Sequence, residues 1–90
     1  YLILGDMFEL GDEAWKEHLF IINLVKSLQF KDALFVGVNF YKHKNNFKEF
    51  KFFKMYEDLE EYINLNLPEK RTILIKGSRG MALERILKML

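Results

Sequence analysis

The apolar residues of this chain fall into four short runs, with helix-spaced or glycine-bounded stretches between them. Leu2-Ile3-Leu4 is closed by Gly5-Asp6, the pattern of a strand buried on both faces of a parallel sheet. A glycine-bounded loop follows, Gly5-Asp6-Met7-Phe8-Glu9-Leu10-Gly11, and Asp12 stands where a helix N-cap is expected, with Glu13 in the first turn. From about Glu13 to Gln29 the residues Ala14, His18, Ile21, Val25 and Leu28 recur at four-and-three spacing, and Trp15, Leu19 and Ile22 widen the stripe. Ala33 to Val38 reads as a second buried strand. Phe50 to Phe53 reads as a short strand after an irregular loop, and Glu57 to about Asn64 as a helix. The loop around Pro68 leads to a strand over Thr72 to Lys76. Leu83, Ile86, Leu87 and Leu90 then give the i, i+3, i+4, i+7 signature of a closing amphipathic helix.

Strand and helix alternate along the whole chain. Such alternation predicts an α/β fold: a Rossmann-like three-layer sandwich, with a mostly parallel sheet, helices on both faces and right-handed crossovers. In open parallel sheets ligands bind beyond the carboxyl ends of the strands. That rule places the candidate chemistry in three turns on one edge of the sheet: Gly5-Asp6, Gly37 to Phe40, and Lys76 to Gly80.

Composition narrows the picture. Ninety residues, half of them hydrophobic and 16% aromatic, make one small domain and exclude a disordered tail. Fourteen Lys and Arg against 13 Asp and Glu leave a net charge of +1, so no global field draws the chain to nucleic acid or to an anionic membrane. No apolar run approaches the roughly 18 residues of a membrane span. With no cysteine there is neither a disulfide framework nor a thiolate metal site, which suits the cytoplasm. The chain opens at Tyr1, inside a strand and without an initiator Met, so it is expected to be a piece of a larger protein.

Lys76-Gly77-Ser78-Arg79-Gly80 is the sharpest local feature. Its glycines permit close backbone approach, its amides open onto a helix start, and Lys76 and Arg79 offer a point charge and a planar fork to a carboxylate or phosphate. The alternative is a turn whose polar residues only cap and solvate. No Walker G-x-x-x-x-G-K-[ST] pattern and no G-x-G-x-x-G occurs. The Gly5 to Gly11 loop supplies two carboxylates, Asp6 and Glu9, which could hold an ammonium group or a magnesium-bound water; alternatively Asp6 fixes the loop by bonding backbone amides. His18, inside an apolar stripe, is expected to be a hydrogen-bonded core residue that reaches back to that loop. His43, in a lysine-rich loop, is expected in solvent.

Two other readings fail on the residues. Lysines alternate with aromatics from Phe40 to Lys54, as in single-strand nucleic-acid binders. An edge strand with Phe inward and Lys outward explains the same spacing, and edge lysines discourage edge-to-edge pairing. A phosphoacceptor receiver needs an acid after a central strand, where this chain has Gly37-Val38-Asn39.

The blocks Ile3-Leu-Gly-Asp-Met-Phe-Glu-Leu-Gly11, Glu17-His18, Phe35-Val-Gly37 and Ile73-Leu-Ile-Lys-Gly-Ser-Arg-Gly80 together resemble the C-terminal domain of the Mur ligases, across essentially all 90 residues. Within that family the likeness is to the branch that adds a D-alanyl-D-alanine dipeptide; Lys42 to Lys54 matches nothing in it. The resemblance implies an ATP-dependent ligase of peptidoglycan precursor synthesis, cytoplasmic, which activates UDP-N-acetylmuramoyl-tripeptide as an acyl phosphate for attack by D-alanyl-D-alanine. ATP and Mg2+ would be held mainly by a central domain absent from this chain. The C-terminal domain would close over the site, without nucleic acid or membrane as partner. Carried over, Lys76, Gly77, Ser78, Arg79, Asp6 and Glu9 face the inter-domain cleft, while Gly5, Met7, Gly11 and His18 support the loop. By the same likeness the family domain's first strand and helix are missing, residues 1–90 are a partial domain, and the fragment alone is expected to be inactive. The alternative is a stand-alone α/β module that binds an anion through the Lys76–Gly80 turn.

Overall fold

A computed structural model describes residues 2–8, 10–66 and 73–89, excluding the side chains of Arg79 and Met89. Four strands, β1 (Leu2–Gly5), β2 (Ala33–Val36), β3 (Lys51–Phe53) and β4 (Leu74–Lys76), form one sheet in the order β3-β2-β1-β4. Every pairing is parallel, with Leu2 beside Ala33 and Leu74, and Leu34 beside Lys51. β1 and β2 are the interior strands, which is why their sequences are apolar at consecutive rather than alternate positions.

The two faces carry separate cores. Helix α1 (Ala14–Ser27) and the one-turn α2 (Val38–Tyr41) cover one face, where Ile22, Val25 and Phe40 meet Leu2, Ala33 and Phe35. Helix α3 (Tyr56–Leu65) and a 3-10 segment (Leu83–Met89) cover the other, where Leu59, Ile63, Leu83 and Ile86 meet Ile3, Leu34 and Val36. The three-layer α/β expectation is met. Phe35 is fully buried and lies 4.9 Å from Phe40, 5.6 Å from Phe50 and 5.0 Å from Phe52, ring centre to ring centre. Burying such a ring stabilises by about 1.5–3 kcal/mol. The phenylalanines of the 40–54 segment thus fold inward onto the sheet, while Lys42, Lys44, Lys48, Lys51 and Lys54 stay exposed.

Several local expectations are corrected. Gly11–Glu13 is a 3-10 turn and Glu13 is the N-cap position of α1, with no side-chain capping bond, so Asp12 is not the cap. The buried line of α1 is His18, Ile22 and Val25; Trp15 and Leu28, at its margins, are half exposed or more, Trp15 covering His43 with one face only. The closing segment is 3-10, not α. Residues three apart eclipse one another in a 3-10 helix, so Leu83 and Ile86 line up on the core and Leu87 turns outward, 63% exposed. Tyr1, Glu9, Pro68, Thr72 and Leu90 lie outside the described residues.

Candidate functional site

The strand order reverses at the border of β1 and β4: the chain winds outward from β1 to β2 and β3, then α3 carries it back across the sheet to β4. Loops leaving two such neighbours diverge and leave a crevice at their carboxyl ends. Here those loops are Asp6–Phe8 and Gly77–Gly80, and the third turn, Gly37–Phe40, joins them.

Asp6 binds the three turns together. Its side chain is almost wholly buried. Oδ2 accepts the N–H of Asn39 at 2.8 Å, and Oδ1 accepts that of Phe40 at 3.0 Å, which satisfies the first amides of α2. Its own N–H donates to Val36 O at 3.0 Å, and its carbonyl accepts the N–H of Ser78 at 3.1 Å. Gly37 makes the carboxylate's position possible. At φ +126° it occupies a conformation that side chains disfavour, and a Cβ there would fall on the carboxylate of Asp6.

The β1 and β4 turns are stapled twice more. The Ser78 hydroxyl accepts the N–H of Phe8 at 2.7 Å. The backbones of Gly5 and Gly77 pass so closely that a Cβ on Gly77 would lie 3.1 Å from the Gly5 Cα. His18, fully buried in α1, accepts the Met7 N–H through Nε2 at 3.0 Å, and its Nδ1 donates to Ala14 O at 2.6 Å. These bonds define its neutral tautomer, with the proton on Nδ1. His18 Nε2 is also 3.8 Å from Asp6 Oδ1. Gly11 begins the 3-10 turn that leads into α1.

On the α1 side of these turns lies a cleft of about 420 Å³. Leu4, Met7, Ile21 and Phe40 form its apolar wall, and Lys76 and Ser78 stand at its β4 side. Lys76 is exposed and can meet an anion; the Arg79 side chain and all of Glu9 lie outside the described residues. On the opposite side of the Asp6 loop a second cleft, about 290 Å³, is bordered by Lys54, Met55, Glu57 and Arg85. Arg85 is anchored there: it donates to Ala82 O and Met81 O at 2.8 Å each and lies 3.6 Å above the Tyr56 ring.

The structure therefore brings Gly5, Asp6, Met7, His18, Lys76, Gly77 and Ser78 to one place. It also adds the amides of Asn39 and Phe40 and the wall residues Leu4 and Ile21, which sequence reasoning missed. An amide carries no signature in the sequence, and Leu4 and Ile21 read there only as core. His43 is a correction: it is buried, not solvated, because Trp15 lies against it with ring centres 4.0 Å apart. Among the described residues no group of three or more His, Asp or Glu is placed to hold a metal ion, and no helix is long and apolar enough to cross a membrane.

No protein-family model matches the chain. A UDP-N-acetylmuramoyl-tripeptide–D-alanyl-D-alanine ligase of Buchnera aphidicola is 33% identical over 89 residues, 97% of this chain and 20% of that ligase. The same-named ligase of Borreliella burgdorferi is 30% identical over 93 residues, 99% of this chain and 20% of the relative. Two crystal structures of MurF from Acinetobacter baumannii share the fold over 97% of this chain, with TM-scores of 0.77 and 0.70 and identities of 25% and 26%. The match covers 20% and 21% of those structures. The chain spans about a fifth of the length of the relatives it matches.

Proposed function

We propose that this chain, similar in sequence and fold to MurF-type Mur ligases over nearly its whole length, is the C-terminal domain of a ligase that joins D-alanyl-D-alanine to UDP-N-acetylmuramoyl-tripeptide in peptidoglycan precursor synthesis. The observation that carries the reading is this combined match, which runs through both glycine-bounded turns of the switch-point crevice. Residues 1–90 are on this reading a partial domain of a cytoplasmic enzyme. ATP activates the tripeptide carboxylate in that reaction.

The described residues do not fit the magnesium or the body of the nucleotide. The chain has no phosphate-binding P-loop sequence, and both Asp6 oxygens are engaged by amides. We assign those groups to the rest of the enzyme, and this chain alone to a state without ligase or ATPase activity. Its own part is to present a preformed edge to the cleft. Lys76, the Gly77–Ser78 backbone and Arg79 meet an anionic end of a ligand, the dipeptide carboxylate or a phosphate. Asp6, His18 and Ser78 hold that edge in shape. A shaped edge that closes over a reactive acyl intermediate excludes water and positions the attacking amine.

The test is kinetic and uses the full-length ligase. Arg79→Ala and Lys76→Ala are expected to raise KM for D-alanyl-D-alanine or for ATP about tenfold or more, as loss of one charge-assisted contact does. Unchanged KM for both ligands in both variants would remove the crevice from the reaction.

A further inference from the structure

We propose that His43 is a proton-sensitive latch: charging its imidazole unseats the 38–47 segment from α1 and releases the two amides that Asp6 holds. His43 has no exposed surface, and neither ring nitrogen has a hydrogen-bond partner. Its cover is thin, because Trp15, the only tryptophan of the chain, is itself 50% exposed. A neutral imidazole tolerates such a seat; an imidazolium has two N–H groups to satisfy, and the Trp15 backbone beside the ring can take only one of them.

The charged neighbours offer no relief. From α1 the facing titratable group is His18, neutral in its hydrogen-bonded tautomer, and from its own segment it is Lys42; neither gives a positive ring an ion-pair partner. Lys44, next in the chain, is held on the Tyr41 hydroxyl at 2.6 Å. The Asp6 carboxylate is already committed to Asn39 and Phe40. His43 is also wired to those amides. Its backbone N–H donates to Phe40 O at 3.0 Å, and the Phe40 ring lies edge-on to His18 at 4.6 Å.

Burial is the main cause that pushes His43 below its ordinary value of 6.5, with His18 and Lys42 adding to it and the Trp15 backbone opposing it in part. The sign follows. The unfolded or unlatched chain takes up a proton near 6.5, and the latched one only at lower pH. Latching is therefore intact above about pH 6.5 and weakens below it, by up to about tenfold per pH unit until the latched histidine itself titrates.

The latch needs no ligand, so it is tested on this chain without nucleotide or dipeptide, and its failure leaves the ligase reading untouched. The His43 ring resonance, Trp15 emission and amide-exchange protection are followed from pH 7.5 to 5.5. His43 is expected to titrate below 6.5 together with the Trp15 signal. Protection at Asn39 and Phe40 should fall about tenfold per pH unit at most, while Leu59 and Ile63 on the opposite face keep theirs. His43→Phe keeps a ring under Trp15 but cannot charge, and should abolish the acid loss of protection. A His43 midpoint at or above 6.5, or unchanged protection at Asn39 and Phe40 once His43 is charged, overturns the latch. So does a His43→Phe variant as acid-sensitive as the parent; if that variant does not fold, the titration of the parent chain decides.

Discussion

Replacing Asp6 by Ala removes one carboxylate and with it the side-chain hydrogen bonds that tie the turn after β1 to the turn after β2. Two charge-assisted hydrogen bonds are lost, a part-buried one from Asn39 at 2.8 Å and a buried one from Phe40 at 3.0 Å. At about 1.5–3 kcal/mol each the ceiling is roughly 6 kcal/mol. The two amides do not cost the same. Asn39 is half-buried and its N–H can turn to water, whereas Phe40 is fully buried and its N–H is left without a partner. The Asp6 backbone bonds to Val36 and Ser78 survive the substitution. The expected loss is therefore about 2–4 kcal/mol, a large share of the roughly 5–13 kcal/mol that a chain of this length commands. Urea unfolding at pH 7.5, followed by far-UV circular dichroism, should show a lower midpoint at unchanged slope. Thermal melting should fall by roughly 10–30 °C. A loss below about 1 kcal/mol would show that the turns hold each other without the carboxylate, and the account of Asp6 as their common tie would be wrong.

Two further substitutions probe the same edge. Gly37→Ala combines a positive φ with a Cβ placed on the Asp6 carboxylate, and is expected to cost about 3 kcal/mol or more in the same urea experiment, since strain and the two Asp6 bonds are lost together. Ser78→Ala deletes a single exposed bond to Phe8; stability should fall by no more than about 1.5 kcal/mol, with faster amide exchange at Phe8 as the local signature.

Much of the fold was legible in the chain because parallel α/β architecture writes itself in runs. Leu2 to Leu4 and Ala33 to Val36 are apolar at consecutive positions, which only a strand covered on both faces requires. The Lys and Phe alternation of β3 marked an edge, and β3 is one. Less legible were features set by packing at single residues. The i, i+3, i+4 pattern from Leu83 to Leu90 fits α and 3-10 spacing alike at its first two positions, and contact of Leu83 and Ile86 with α3 and the sheet decides between them. His43 stands among exposed lysines in sequence, yet a neighbour 28 positions earlier, Trp15, covers it. Local polarity does not report on such a long-range contact.

The sequence by itself determined the order of strands and helices, the parallel sheet and the three turns that share its carboxyl edge, since each follows from periodicity, glycine placement and the handedness of crossovers. It also carried the four motif blocks by which the chain resembles the Mur ligases. Only the tertiary structure decided how those turns are joined. The Asp6 carboxylate spends both oxygens on backbone amides more than 30 residues away, Ser78 reaches Phe8 across 70 positions, and His18 reaches Met7. These partners are backbone N–H groups, which nearly every residue possesses, so the sequence could name the acceptors but not the donors. Folding brings the donors within 3 Å, and that proximity converts a carboxylate with two open roles into the tie that shapes the crevice.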